Sequence, residues 1–71
     1  MHVDLSNYKC PLLLLKVRQY LEEVKSGEEV EFKTKDPVSW KEFHSYAKIT
    51  GNNLLEAKKD KNFFYFVIKR K

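Results

Sequence analysis

The sequence predicts an α+β two-layer fold, in which a mixed four-stranded sheet carries two helices on one face. Two segments with helical periodicity each begin at a proline, short segments with strand-like alternation precede and separate them, and a polar turn joins two apolar runs near the end. The resulting order is βαβαββ, because helices between strands followed by a hairpin favour this arrangement. We expect residues 1–71 to form one domain.

Four segments alternate or cluster their apolar residues as strands do. Val3 and Leu5 share one face of the first segment, and Val30 and Phe32 share one face of the second. The polar residues 60–62 separate the last two segments and predict a hairpin turn. The predicted strands are 2–6, 29–34, 54–59 and 63–69.

The first helix is predicted from about Pro11 to Ser26. Proline is favoured at the first helical position, and it pushes the preceding residue into the extended conformation of an N-cap. Cys10 is therefore predicted as the cap, and Gly27 as the left-handed residue that ends the helix.

The second helix has the same kind of boundaries. Asp36 is predicted as its cap, Pro37 as its first residue and Gly51 as its stop. A competing start lies nearby, because Ser39 and Glu42 have the spacing of a capping box.

Helical spacing sorts the side chains of both helices into buried and exposed faces. The buried face of the first helix is predicted to contain Leu13, Val17, Tyr20, Leu21 and Val24, with Leu14 at its edge. The buried face of the second is predicted to contain Trp40, Phe43, Tyr46, Ala47 and Thr50, leaving Lys41, His44 and Lys48 in solvent.

Leu12 and Leu15 point away from the buried face of the first helix. One interpretation is that the sheet edge or a neighbouring loop covers them. The other is that they form, with Lys16, a docking surface for a partner protein, since exposed apolar clusters mark interfaces. Lys9 and Arg18 would add complementarity to an acidic partner.

The last predicted strand has a second apolar face made of Phe63, Tyr65 and Val67. A two-layer fold needs only one apolar sheet face. We therefore expect this second face to be covered, with a second copy of the chain as one candidate, and the protein to be a monomer or a weak homodimer.

Composition excludes several classes of protein. The 71 residues are 42% hydrophobic and carry a formal charge of +4, which is typical of a globular domain that favours acidic partners. The sequence has no membrane-spanning run, signal peptide, metal-ligand spacing or glycine-rich phosphate loop. One cysteine cannot form an internal disulfide, so we expect a cytoplasmic protein. Because metal-ligand spacing and a phosphate loop are missing from the sequence, we also expect no cofactor and no metal.

Cys10 is the candidate for chemistry. Cysteine is a poor N-cap for stability, yet a helix N-terminus offers free N–H groups and a partial positive charge that favour a thiolate. Lys9 adds to the same effect, and Pro11 fixes the start of the helix. We therefore expect the pKa of the Cys10 thiol to lie below its free value of about 8.5.

Three stretches, VDLSNYKCP, SGEEVEFKTKDP and TGNNLL, resemble the TusA/SirA-like sulfur-carrier family over nearly the whole chain. The resemblance implies the βαβαββ fold and a sulfurtransferase that holds sulfane sulfur as a persulfide on Cys10. It further implies a protein donor, such as a cysteine desulfurase or a rhodanese-like protein, and a protein acceptor, as in transfer-RNA thiolation. Asp4 and the Asp36-Pro37 pair match further family positions.

The chain departs from the family pattern at several positions. Leu13 stands where the second proline of the family's CPxP motif is expected, and Leu12 replaces a residue that is commonly acidic. Asn7 replaces a glycine and Asn52 a frequent histidine. These differences indicate a divergent member.

An alternative function stays open, namely a non-catalytic binding or regulatory module of the same fold that contacts RNA or a protein. Its basic residues would be Lys58, Lys59, Lys61 and the terminal 69–71, beside the aromatic stretch 63–66. The alternation of Phe64, Phe66 and Ile68 favours a core face instead. His2 and His44 are both predicted to lie in solvent without a functional role.

Overall fold

The computed structural model describes residues 1–9 and 11–71. Its elements follow the predicted βαβαββ order. They are β1 (His2–Asp4), α1 (Leu12–Glu23), β2 (Glu29–Thr34), α2 (Ser39–Thr50), β3 (Asn53–Asp60) and β4 (Phe63–Lys69). The second and fourth strands have the bounds that the sequence predicts.

The four strands form one mixed sheet in the order β1-β2-β4-β3, which confirms the predicted fold class. β1 and β2 are parallel, whereas β4 is antiparallel to both of its neighbours. Val30, Phe32, Phe66 and Ile68 on the central strands are completely buried under the two helices. Phe43 of α2 stacks on Phe66 with ring centroids 4.0 Å apart. One face of the sheet therefore builds the core.

α1 buries the predicted stripe but ends earlier than the sequence indicates. Its last residue is Glu23, and Val24 follows in an extended conformation with its side chain buried. The Arg70 guanidinium donates to the carbonyl oxygens of Glu22 and Val24. Gly27 is left-handed, with φ of 88°, but lies in the turn before β2. The predicted stop at Gly27 was wrong because the chain turns extended at Val24, where burial of the Val24 side chain and the bonds from Arg70 hold it.

α2 ends as predicted. Gly51 has φ of 78°, and its N–H donates to the Ala47 carbonyl at 3.0 Å. Phe43 and Ala47 are buried, and Tyr46 is half-buried. The prediction of a buried Thr50 was wrong, because its hydroxyl turns back to the Tyr46 carbonyl on the exposed side of the last turn.

The predicted start of α2 was wrong by two residues, because the helix begins at Ser39 and not at Pro37, and its N-cap is Val38 and not Asp36. Asp36 Oδ1 accepts the Val38 N–H at 3.1 Å and so holds the turn that leads into the helix. Ser39 is buried and its hydroxyl donates to the Asp36 carbonyl, so it does not form a capping box with Glu42.

The ends of β1 and of the hairpin follow from local hydrogen bonds. β1 stops at Asp4, not Ser6, because Asp4 Oδ1 accepts the Ser6 N–H at 2.9 Å and turns the chain. The hairpin turn is shorter than predicted, since Asp60 pairs with Phe63 and Lys61 takes a left-handed φ of 52°. In the part of the chain described, neither helix is long and apolar enough to cross a membrane.

Candidate functional site

The predicted catalytic residue, Cys10, lies outside the described residues. Its predicted role as N-cap was wrong, because the N-cap of α1 is Pro11, one residue later. The residues on either side are exposed. Pro11 has φ of −88° and ψ of −10°, and α1 begins at the next residue, Leu12. Position 10 is thus joined directly to the turn that opens the first helix.

The charges in the first turn of α1 favour a nearby anion. It consists of leucines and contains no acidic side chain that would offset the positive end of the helix dipole. Lys9 is exposed immediately before position 10. The local field of the described residues therefore favours negative charge at the start of the helix.

The segment between β1 and α1 is anchored to the sheet. Leu5 is buried and its N–H donates to the Lys33 carbonyl at 2.8 Å, continuing the pairing of the parallel strands. The Tyr8 N–H donates to the Leu5 carbonyl at 3.0 Å, and Lys16 Nζ lies 5.6 Å from the centre of the Tyr8 ring. Ser6 donates hydrogen bonds to the Asp4 carboxylate, and this lowers the pKa of Asp4. These contacts fix where the chain reaches Lys9.

A cleft of about 420 Å³ opens beside this segment. It lies between the loops that follow the parallel strands β1 and β2, at the sheet edge where ligands commonly bind in α/β proteins. Lys9 and Lys35 supply its positive charge, and Asp36 lies among its other lining residues. The lining consists of Ser6, Asn7, Tyr8, Lys9, Lys35, Asp36 and Pro37. The fold therefore brings the Asp36-Pro37 pair next to the segment that leads to Cys10.

The predicted docking residues lie on one side of the first turns of α1. Leu12 and Leu15 are 48% and 49% exposed, so neither the sheet edge nor a loop covers them fully. Lys16 is half-buried one turn after Leu12. We call Leu12, Leu15 and Lys16 the α1 patch.

Leu13 has a buried side chain and a backbone hydrogen bond, and a proline at this position would change both. Its side chain has no exposed surface. Its N–H donates to the Lys9 carbonyl at 2.9 Å. Proline has no N–H to donate and a smaller side chain to bury. The departure at Leu13 from the CPxP motif therefore stabilises the first turn by hydrogen bonding and packing.

Sequence reasoning missed Lys35 and Tyr8 as residues of the site. Lys35 is the first residue after β2, and nothing in its local pattern indicates a role. Only the parallel pairing of β1 and β2 places it across the cleft from Lys9. Tyr8 also lines a second depression with Lys16 and Tyr20.

The two histidines are exposed, as predicted, and neither lines the cleft. His44 is exposed, and its Nδ1 is 2.6 Å from the Trp40 carbonyl. His2 is exposed, with its Nδ1 2.7 Å from Glu31 Oε1. Among residues 1–9 and 11–71, no three His, Asp or Glu side chains are grouped to hold a metal ion.

Comparison with known families shows to which family the chain belongs. The profile of the family described as sulfurtransferase TusA matches residues 1–70. The chain belongs to the TusA family. A protein named "Sulfur carrier protein TusA" from Allochromatium vinosum is 38% identical over 68 residues, covering 96% of this chain and 90% of its own length.

A second TusA-like relative comes from an archaeon. The protein named "Putative sulfur carrier protein" from Archaeoglobus fulgidus is 32% identical over 68 residues, which cover 96% of this chain and 93% of the relative. Carriers of the TusA family pass sulfur between protein partners. The family assigned from the sequence stretches is thereby confirmed, with Leu13 as a departure that the fold accommodates.

Proposed function

We propose that Cys10 holds sulfane sulfur as a persulfide and that the chain relays this sulfur from a protein donor to a protein acceptor. Membership of the TusA family makes sulfur carriage the function of this chain. The observation that supports Cys10 as the carrier is the start of α1 at Leu12, two residues after position 10, with no acidic side chain in its first turn. Such a helix start favours anionic sulfur.

The chemistry requires no external oxidant or reductant. The Cys10 thiolate attacks the terminal sulfur of a donor persulfide, a new S–S bond forms on Cys10, and the donor's S–S bond breaks to release the donor thiolate. An acceptor thiolate then attacks the terminal sulfur on Cys10 in the same way. Each step moves one neutral sulfur atom and returns one thiolate.

The partners follow from the same proposal. A cysteine desulfurase or a rhodanese-like protein supplies the sulfur, and a protein of a thiolation or related sulfur-trafficking pathway accepts it in the cytoplasm. The α1 patch supports docking because Leu12 and Leu15 are exposed next to the reactive position. Lys9 and Lys35 in the cleft favour an acidic partner surface.

The alternative, a non-catalytic module that binds RNA or protein, is not favoured. Phe66 and Ile68 are buried in the core, and Phe64 packs against it. Arg70, one of the terminal basic residues, binds the end of α1. Phe64, Phe66 and Arg70 of this set therefore have structural contacts that account for them.

Intact-mass spectrometry tests the proposal directly. The purified chain is incubated with a cysteine desulfurase and cysteine, and we expect it to gain one sulfur atom that dithiothreitol removes. Cys10→Ser should gain none, because it has no thiol, while keeping the stability of the parent. A sulfur adduct on Cys10→Ser, or a wild-type chain that no desulfurase or rhodanese can load, would refute the persulfide proposal.

A further inference from the structure

The sheet face that points away from both helices carries an apolar row between two strips of charge. Phe63, Tyr65 and Val67 of β4 form the row, and all three are half-buried. The side chains of the neighbouring strands contribute to this burial, as when Lys33 Nζ lies 4.2 Å from the centre of the Phe63 ring. The sequence-based expectation of a covered face is therefore met only in part within one chain.

The charges on this outer face are arranged in two levels across the strands. At the level of Val67, the flanking residues are Glu31 on β2 and Glu56 on β3. At the level of Tyr65, they are Lys33 on β2 and Lys58 on β3. An acidic level thus lies next to a basic level, with an apolar residue in the middle of each.

The first strand continues the arrangement. His2 pairs with Glu31 at the acidic level, and Asp4 pairs with Lys33 at the basic level. β1 thus carries the His2 imidazole at the acidic level and the Asp4 carboxylate at the basic level.

We propose that the outer face binds the outer face of a second copy of this chain in a two-fold symmetric dimer. The two-fold axis lies in the plane of the interface and runs perpendicular to the strands, between the two levels. It places each strand opposite the same strand of the partner, running in the reverse direction. Lys33 then faces the partner's Glu31, and Lys58 faces the partner's Glu56. Such an isologous interface uses one self-complementary patch twice.

The apolar row gives this dimer its driving force. Val67 of each copy faces the partner's Tyr65, so these two side chains are removed from water in a sheet-on-sheet packing about 10 Å thick. Leu55, which is 48% exposed at the β-bulge beside Glu56, lies along the same strand. Both helices lie on the other side of the sheet, so the dimer leaves the α1 patch and the cleft free.

The signs of the charges favour a second copy over nucleic acid. A phosphate backbone is bound by surfaces of uniformly positive charge. Here Glu31 and Glu56 flank the row as closely as Lys33 and Lys58 do, and Lys58 lies 3.6 Å from Glu56. A partner with alternating charge fits this face, and the chain itself is such a partner.

Charge exchange tests the dimer without reference to sulfur transfer. Sedimentation velocity on the full chain up to about 1 mM should show a concentration-dependent dimer. Lys33→Glu with Lys58→Glu makes both levels acidic, and Glu31→Lys with Glu56→Lys makes both basic. We expect each double variant alone to raise the dimer Kd at least about tenfold, and an equimolar mixture to restore association as a heterodimer.

The control is Lys41→Glu with Lys48→Glu on the exposed side of α2, which changes the net charge as the first variant does and should leave the dimer intact. Circular dichroism confirms that each variant is folded. A wild-type chain that stays monomeric over the whole range, or variants that associate as well as the wild type does, would overturn the proposal. So would a mixture that fails to associate, or a monomer retained by single-stranded RNA through this face.

Discussion

Thr34 Oγ1 and Ser39 Oγ lie 2.8 Å apart in the core, and neither residue has exposed surface. Ser39 also donates its hydroxyl proton to the Asp36 carbonyl at 2.6 Å. Since that proton is committed, the Thr34 hydroxyl donates to Ser39. The two bonds hold the turn that presents Asp36 and Pro37 to the cleft.

This pair predicts unequal effects of removing either hydroxyl. Ser39→Ala leaves the Thr34 hydroxyl buried without a partner and should lower the free energy of unfolding by about 1–3 kcal/mol. Thr34→Val should cost less, because Ser39 keeps its bond to Asp36. Urea denaturation of both single variants and the double variant measures the coupling; the double variant should lose less than the sum of the two, and strict additivity would contradict the bond.

Leu12 and its neighbour Leu13 offer a matched test of the α1 patch. Leu12→Ser should leave the free energy of unfolding within about 0.5 kcal/mol and keep the thiol reactive toward small reagents, while sulfur transfer to or from the partner slows. Leu13→Ala should instead cost about 2–5 kcal/mol, because Leu13 is completely buried. Thermal unfolding and transfer are measured on the same preparations. Normal transfer by Leu12→Ser would exclude a docking role for Leu12.

Restoring the family's second motif proline should destabilise this chain. Leu13→Pro removes the N–H that donates to the Lys9 carbonyl as well as part of the buried side chain, so we expect a loss of about 2 kcal/mol or more. Leu13→Ala is the control, because it loses the side chain but keeps the N–H. Chemical denaturation compares the two variants, and Leu13→Pro should be the less stable of them. A proline variant as stable as the alanine variant would show that the bond contributes nothing.

The lysines of the cleft should control how fast an acidic partner associates. Lys9→Glu and Lys35→Glu should each slow transfer about tenfold at low ionic strength, with the difference shrinking as salt is added. Lys25→Glu, exposed beyond the other end of α1, makes the same change in net charge. Stopped-flow transfer assays at two salt concentrations measure the effect, and an equal slowing by Lys25→Glu would assign it to net charge alone.

Tyr46 should make the free energy of unfolding decrease at alkaline pH. Burial raises its pKa above the ordinary value of about 10. The folded state then holds the phenol proton more tightly than the unfolded state, so stability falls as the pH rises above that value. Tyr46→Phe should lose less stability than the wild type between pH 7 and about pH 10.5, as measured by urea denaturation at both values. Identical losses would contradict a folded-state pKa above the unfolded one.

Local signals in the sequence were sufficient for the fold class and for most of the core. Helical spacing correctly placed Leu13, Val17 and Leu21 on the buried side of α1, because the apolar face of a helix must pack against the sheet. Gly51 correctly marked the end of α2, since a left-handed residue is most easily supplied by glycine. Such features depend on a few neighbouring residues and are therefore visible in the sequence.

Contacts between distant residues decided the rest. α1 ends at Glu23, and Arg70 binds the carbonyls of Glu22 and Val24 at this end. No pattern near Gly27 could indicate a partner so far along the chain. Likewise, the cleft exists because β1 and β2 pair in parallel and bring Lys35 beside the segment that ends at Lys9. Hydrogen bonding and strand pairing across the chain set these positions, whereas local periodicity determines only which face of each element is apolar.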